Sequence, residues 1–447
     1  MKSLRVTVLL LAGLATTQVQ AWGNHSLATY RAFEKMPEVA NAAPVVAEPL
    51  DAFLRAEENT LEALLASQEA WAISNLEKYP ARPAELAFKA DPARSDPSRL
   101  LAFLMALRVA TNSKLALYYQ ADLWNPVSGT PLPYSAVSPL PETPGANARY
   151  LAVTAGDMLP PLAVLASAAD EPDYGLDVNL WADSPSDWGS VYGFGPQPFG
   201  NPSLPHASEA PFQMAFLHES RLLKLAAPFT KRTFPLLRSH QFASLASLAF
   251  RTGHAYWGWR FAGMSLHYVQ DLTQPYHATL APAESSAKLL AAHTLAMAGL
   301  SGMKHDLLTQ QSNRHLVLEK YQSELLQRSA ARQQESALER ALHNTDKDRS
   351  YPDWSDRYVR ETVSLQANRA AAALAQNLIA TMPANYVSDP GFDFRSQEGS
   401  INLLAELAGR DSPERTRLDA TLAELTGNFG AHSRNALRGI LRESTPH

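Results

Sequence analysis

The sequence predicts an all-α fold of many helices, with two long loops and a small helical C-terminal appendage. Three observations point there. Apolar residues recur at threes and fours through most of the chain, no segment sustains the alternation of a strand, and no repeat of fixed period is present. Two stretches rich in Pro, Gly, Ser and Asn interrupt the helical pattern.

The elements follow in order. Helices are expected from Ser26 to about Glu34, from Leu50 to Asn75 and from Leu100 to Tyr119, where good helix formers carry an apolar stripe. From about 124 to 160 the chain reads as an ordered surface loop or lid, and a second irregular stretch spans 171–210. Loops this long inside a helical protein are uncommon unless functional. Helical periodicity returns at about 211–229, 234–249, 254–272, 285–299, 306–344 and 356–382. A breaker region, SDPGFDFRSQEG, precedes helices near 400–409, 413–426 and 431–443. The expected organisation is one catalytic domain over 22–383 and a helical extension over 384–447.

Residues 1–21 read as a secretory signal: a basic MKSLR start, the apolar VTVLLLAGLA stretch, and small residues at Val19-Gln20-Ala21 before a cleavage point at Trp22. The expected location is therefore exported, either periplasmic or secreted. No later segment offers about twenty uninterrupted apolar residues, so no membrane span is expected in the mature chain. The formal net charge of -5 and the lack of a basic run argue against a stable nucleic-acid partner. The chain has no cysteine, which excludes disulfides, thiolate metal sites and a cysteine nucleophile. A zinc site would have to use nitrogen and oxygen donors.

Such donors concentrate in one region. His267 and Asp271 are four residues apart, so a helix turns both to one face, and Pro275 then lets His277 turn back toward the same pocket. His315 and Glu319 repeat the four-residue spacing in NRHLVLEKY. One such pair alone is commonly a helix-stabilising contact. Two pairs plus His277 point to a metal site. His218, His254 and His293 have no comparable partners and read as structural or surface histidines.

With these residues the sequence resembles the superfamily of zinc-dependent phospholipases C and S1/P1 nucleases, closer to the phospholipase branch. The resemblance runs from Trp22 and His25 in AWGNHSLATYRAF, through Asp173 in EPDYGLD and His206 in LPHASEAP, to HYVQDLTQPYH and the His315–Glu319 pair. It implies an all-α phospholipase C/P1 nuclease-like domain over 22 to about 383, holding three zinc ions. Asp173, His206, His267 and Asp271 would hold one zinc. Asp271 would bridge to a second, held also by His25 and by the Trp22 amine and carbonyl, a set that exists only after export and cleavage. His277, His315 and Glu319 would hold the third. Asp170 or Asp177 could stand in the place of Asp173, and the segment after about 384 has no counterpart in the family.

The implied reaction is hydrolysis of a phosphodiester, with Asp173 orienting or deprotonating the water and no covalent intermediate. Glu319 favours phospholipid head-group release, with phosphatidylcholine-like lipid at a membrane or micelle surface as substrate. Tyr174, Trp181, Trp188, Tyr192 and Phe194, in the long loops, could supply an aromatic pocket for a quaternary ammonium, or could simply anchor those loops. The competing readings are a single-strand nuclease or 3'-nucleotidase, which needs a base-stacking platform, and an exported helical binding protein stabilised by a metal.

Overall fold

The computed structural model describes residues 22–142 and 149–445. The expected signal segment 1–21 lies outside the described residues. The fold is all-α and multi-helical, with two small antiparallel sheets. Its axis is the Ala255–Asp271 helix, buried at every position from Tyr256 onward. A helix covered on all sides must be wrapped by others. It forms an antiparallel hairpin with Pro235–Arg251, and His25–Phe33, Pro161–Ala169 and Pro413–Glu443 close around it. One hydrophobic cluster runs from Trp22 to Ile440. No described helix is long and apolar enough to cross a membrane.

Several elements differ from expectation for local reasons. The helix expected over 100–119 runs Asp96–Leu107 and stops where Arg108 turns left-handed, at φ 58°. Tyr118–Gln120 instead pairs with Tyr150–Ala152, which also pairs with Pro131–Leu132, so the expected 124–160 loop contains strands. Val45–Val46 and Met158–Leu159 form the second sheet. The strands are two or three residues long, too short for an alternating pattern to stand out in sequence. The expected 50–75 helix is split into Leu50–Ala56 and Glu58–Asn75.

The expected pair of C-terminal helices is one continuous helix, Pro413–Glu443. Its glycines serve close packing rather than a break: a Cβ at Gly430 would lie 2.7 Å from the Leu342 carbonyl oxygen. This helix brings the 384–447 segment into the common core. Phe429 meets the rings of Trp22 and His25, each at 6.2 Å between centroids. Arg434, fully buried, donates to the carbonyls of Ala32, Leu342 and Asn344 and pairs with Asp348. Replacing it with alanine would leave three carbonyls without their donor and Asp348 with Arg438 as its remaining cation. Arg434→Ala is expected to destabilise the fold by about 3–5 kcal/mol, read as a lower urea midpoint at unchanged slope.

Candidate metal centre

Four helices and the short Glu171–Tyr174 turn of 3-10 helix, which carries Asp173, present the donors. His267 and Asp271 stand one turn apart at the end of the Ala255–Asp271 helix. The chain then reverses through a turn whose Gln274 side chain caps the Pro275–Ala278 helix, placing His277 there. His315 and Glu319 lie one turn apart on Gly302–Arg332. His25 opens the His25–Phe33 helix behind an Asn24 cap, and the Ser26 amide donates to Asp170. Trp22 anchors this end, its buried indole donating to the Gln270 carbonyl and to Thr273 Oγ1. Gly23 lies so close to the Glu319 helix that a Cβ would come within 2.7 Å of the Glu319 carbonyl oxygen.

The donors form two neighbouring clusters. His25, Asp173 and His267 bring ligand atoms within 4.8 Å of one another, as do His277, His315 and Glu319. Asp271 joins the first, with Oδ1 3.3 Å from His25 Nε2 and Oδ2 3.4 Å from His267 Nε2. His267 Nε2 is 3.5 Å from Asp173 Oδ1. Ligands about 2.0–2.1 Å from a tetrahedral zinc are separated from one another by roughly 3.3–3.4 Å, so the spacing fits that ion. The second cluster is tighter: His277 and His315 Nε2 are 3.0 Å apart, and His315 Nε2 is 2.5 Å from Glu319 Oε1.

The hydrogen bonds behind the clusters orient them. His25 Nδ1 faces Gln270 Oε1 at 2.8 Å, His267 Nδ1 the Ala169 carbonyl at 2.8 Å, and His277 Nδ1 the Gln213 carbonyl at 3.0 Å. Each oxygen accepts the Nδ1 proton and turns a bare Nε2 inward, the arrangement that supports a metal-bound imidazole. His25 Nε2, His267 Nε2 and both Asp271 oxygens have no hydrogen-bond partner although buried. Buried polar atoms left in this way are costly unless an ion satisfies them.

Electrostatics carries the same message. Burial pushes the Asp173 and Glu319 carboxyls well above the usual range and Asp271 up to about 6. Burial holds His267 and His277 well below the ordinary imidazole value, and takes His315 down to about 3. Neutral His267, His277 and His315 beside carboxyls that resist ionisation describe a site short of positive charge, which a divalent cation supplies, whereas at His25 burial is outweighed by Asp271, which pushes it up to about 9.

Not every expected residue falls in a cluster. His206, on the first turn of Pro205–Gln213, belongs to neither; burial and then Arg395 depress it to about 3. Among the three aspartates weighed for one position, the structure puts Asp173 in the first cluster. Asp170 accepts from the Ser26 amide, while Asp177 is held by Arg238 and Tyr268. His254 meets Glu48 and Glu57, and His218 the Arg360 carbonyl, as structural histidines do. The loop aromatics mostly anchor: Tyr174, Trp181, Tyr192 and Phe194 are buried in apolar clusters, and Trp188 alone of the five is exposed, at 41%.

Other residues near the clusters escaped the sequence reading. Glu209 is buried, its Oε1 has no hydrogen-bond partner, and burial followed by Asp173, Asp177 and Asp271 raises its carboxyl well above the usual range. Its spacing three after His206, on a helix, was the available signal. Gln270 and Gln213 act behind the histidines, and Gln213 Nε2 also donates to Asp173 at 2.7 Å. Arg395, from the C-terminal segment, offsets the burial cost of Glu319. Asn313, two residues before His315, holds that segment by bonding Phe392 and Phe394. A cavity of about 1540 Å³ opens between the 121–132 stretch, the Gly302–Arg332 helix and the 402–415 stretch, but no cluster residue lines it.

Compared with known family profiles, curated proteins and solved structures, the chain matches none. The metal-centre reading therefore stands on the residues themselves.

Proposed function

We propose that the protein is an exported, zinc-dependent phosphodiesterase that cleaves phosphatidylcholine-like lipids to diacylglycerol and a phosphorylated head group. The observation that carries this is the buried set of His25, Asp173, His267 and Asp271, at 3.3–3.5 Å spacings, beside His277, His315 and Glu319. Asp173, His267 and one Asp271 oxygen would hold one zinc, and His277, His315 and Glu319 another. A third would use the Trp22 amine with His25 and the other Asp271 oxygen, since the two oxygens face different histidines. That third site requires the free amine that export and cleavage after residue 21 would release. The lipid preference rests on the resemblance and on Glu319 as the final carboxylate.

Bound zinc supplies Lewis acidity toward phosphoryl oxygens and lowers the pKa of water at the site. Asp173, fixed by Gln213, is placed to take the proton of the attacking water. A new P–O bond forms from that water, the bond from phosphorus to the glycerol oxygen breaks, and the departing oxygen is protonated. The Gln270, Ala169 and Gln213 oxygens keep His25, His267 and His277 in one tautomer. Burial of the cluster side chains excludes bulk water and strengthens each electrostatic contact.

The test is hydrolysis of phosphatidylcholine and of single-stranded DNA by protein beginning at Trp22, before and after chelation and zinc restoration. Zinc-dependent phosphocholine release with little DNA cleavage is expected. DNA cleavage instead would move the reading to a nuclease. Hydrolysis of neither, with zinc bound, would overturn both and leave a different phosphoester as substrate or a metal-stabilised binding protein.

A further inference from the structure

Of the thirteen large apolar side chains exposed among the described residues, six fall in two short stretches: Leu222 and Leu225, and Leu295, Met297, Leu300 and Leu308. The Ser286–Met297 helix lies in the chain between His277 and His315 and packs against Arg221–Ala226. Only Ala292 of that helix is buried, and Ala287, Ala291, Leu295 and Met297 are exposed. Met297 through Gly302 are all exposed, with Met297 at 70% and Leu300 at 64%. A Cβ at Gly299 or Gly302 would meet nothing within 4 Å. This turn is a projecting tip with apolar side chains, not a packed surface.

The charge is as telling. Residues 221–226 and 286–308 carry Arg221, Lys224, Lys288 and Lys304 against the single Asp306, in a chain whose formal net charge is -5. Lys288 also pairs with Glu284, leaving Arg221 and Lys304 as the exposed cations of these stretches that pair with no carboxylate among the described residues. Apolar side chains within a cationic rim suit an anionic lipid surface. A second copy of the chain would need a broad complementary face of about 800 Å² per partner, which a projecting turn does not supply.

From this we infer that the 295–300 tip, with Leu222, Leu225 and Leu308 behind it, is a membrane-docking surface that inserts into the head-group region of an anionic phospholipid bilayer. It deepens the lipid-hydrolase reading, on which its biological purpose rests: a site buried in the protein reaches lipid only if the enzyme stays at the interface.

The experiment measures co-sedimentation of the full mature protein with equimolar phosphatidylcholine–phosphatidylglycerol vesicles in chelator, so that binding is read without turnover. Wild-type protein is expected to bind. Met297→Ser with Leu300→Ser is expected to weaken partitioning by at least about tenfold, since each buried side chain contributes on that order. Lys304→Glu is expected to weaken it about fivefold or more, with the difference fading in high salt. Hydrolysis of a soluble short-chain phosphodiester and the thermal midpoint should be unchanged in both variants. Equal binding by wild type and the double variant, or no wild-type binding, would overturn the inference. So would a wild-type dimer that the double variant dissolves, which would assign the face to a second copy. Tip-dependent vesicle binding by a protein that hydrolyses no phosphodiester would uphold the docking surface while removing the enzymatic reading.

Discussion

Asp271→Asn is expected to empty the first cluster of metal and to lower phosphodiester hydrolysis by at least about 100-fold, because even residues behind metal ligands commonly cost 10–100-fold. Asp271 is fully buried and sets one oxygen 3.3 Å from His25 and the other 3.4 Å from His267. Asparagine keeps the shape but loses the charge, and its amide donates to an imidazole nitrogen that should otherwise face a cation. The variant should therefore fold. In chelator it should melt modestly lower than wild type at neutral pH, since the amide removes the charge that, against burial, pushes His25 up to about 9. Zinc content by mass spectrometry, kcat/KM and a thermal melt separate these effects. Full zinc content with full activity would show that the cluster is only a buried polar network.

Removing metal from the wild-type protein is expected to lower its melting point, and by more at higher pH. Zinc at about a thousand times its dissociation constant contributes about 4 kcal/mol, a shift of roughly 4–5 °C for a chain of this size. The pH dependence follows from the metal-free groups. Burial raises Asp271 to about 6, so between about pH 4 and 6 the folded chain keeps a proton that the unfolded chain has lost. Burial alone would depress His25, but Asp271, then Asp173 and Asp170, push it up to about 9. Its stabilising proton is fully present below about 6.5 and is lost as pH rises through 9. Above about pH 6.5 the folded chain holds the extra His25 proton, so metal-free stability falls as pH rises, whereas below it the depressed His267, His277 and His315 act against Asp271. Zinc binding needs the same groups deprotonated and tightens with pH. The melting gap between zinc-loaded and chelated protein should widen from about pH 5 to pH 8. A gap that stays constant would mean that these groups do not meet the metal.

Much of the centre was legible because a helix converts spacing into direction. His267 with Asp271, and His315 with Glu319, had to share a face once their segments were helical. Helix existence was readable for the same reason, whereas the two- and three-residue strands at 118–120 and 150–152 were not, since their pairing is with distant chain. Burial was harder still. Trp181, Tyr192 and Phe194 sit in Gly- and Pro-rich text that reads as open loop, yet all three are buried, Trp181 and Phe194 among Phe212 and Phe234 and Tyr192 with its hydroxyl donating to the Val109 carbonyl.

By itself the sequence determined the helical class, the absence of thiol chemistry and the two donor pairs, all of which depend on neighbours within a turn or on composition. Only the tertiary structure decided that His25 meets Asp271, that Asp173 rather than Asp170 or Asp177 joins them, and that Glu209 stands nearby while His206 lies outside both clusters. It also decided that the Pro413–Glu443 helix backs the centre through Phe429 and Ser433. The reason is physical: backbone periodicity is local, but which faces meet is settled by packing and by the need to satisfy buried polar groups across the whole chain.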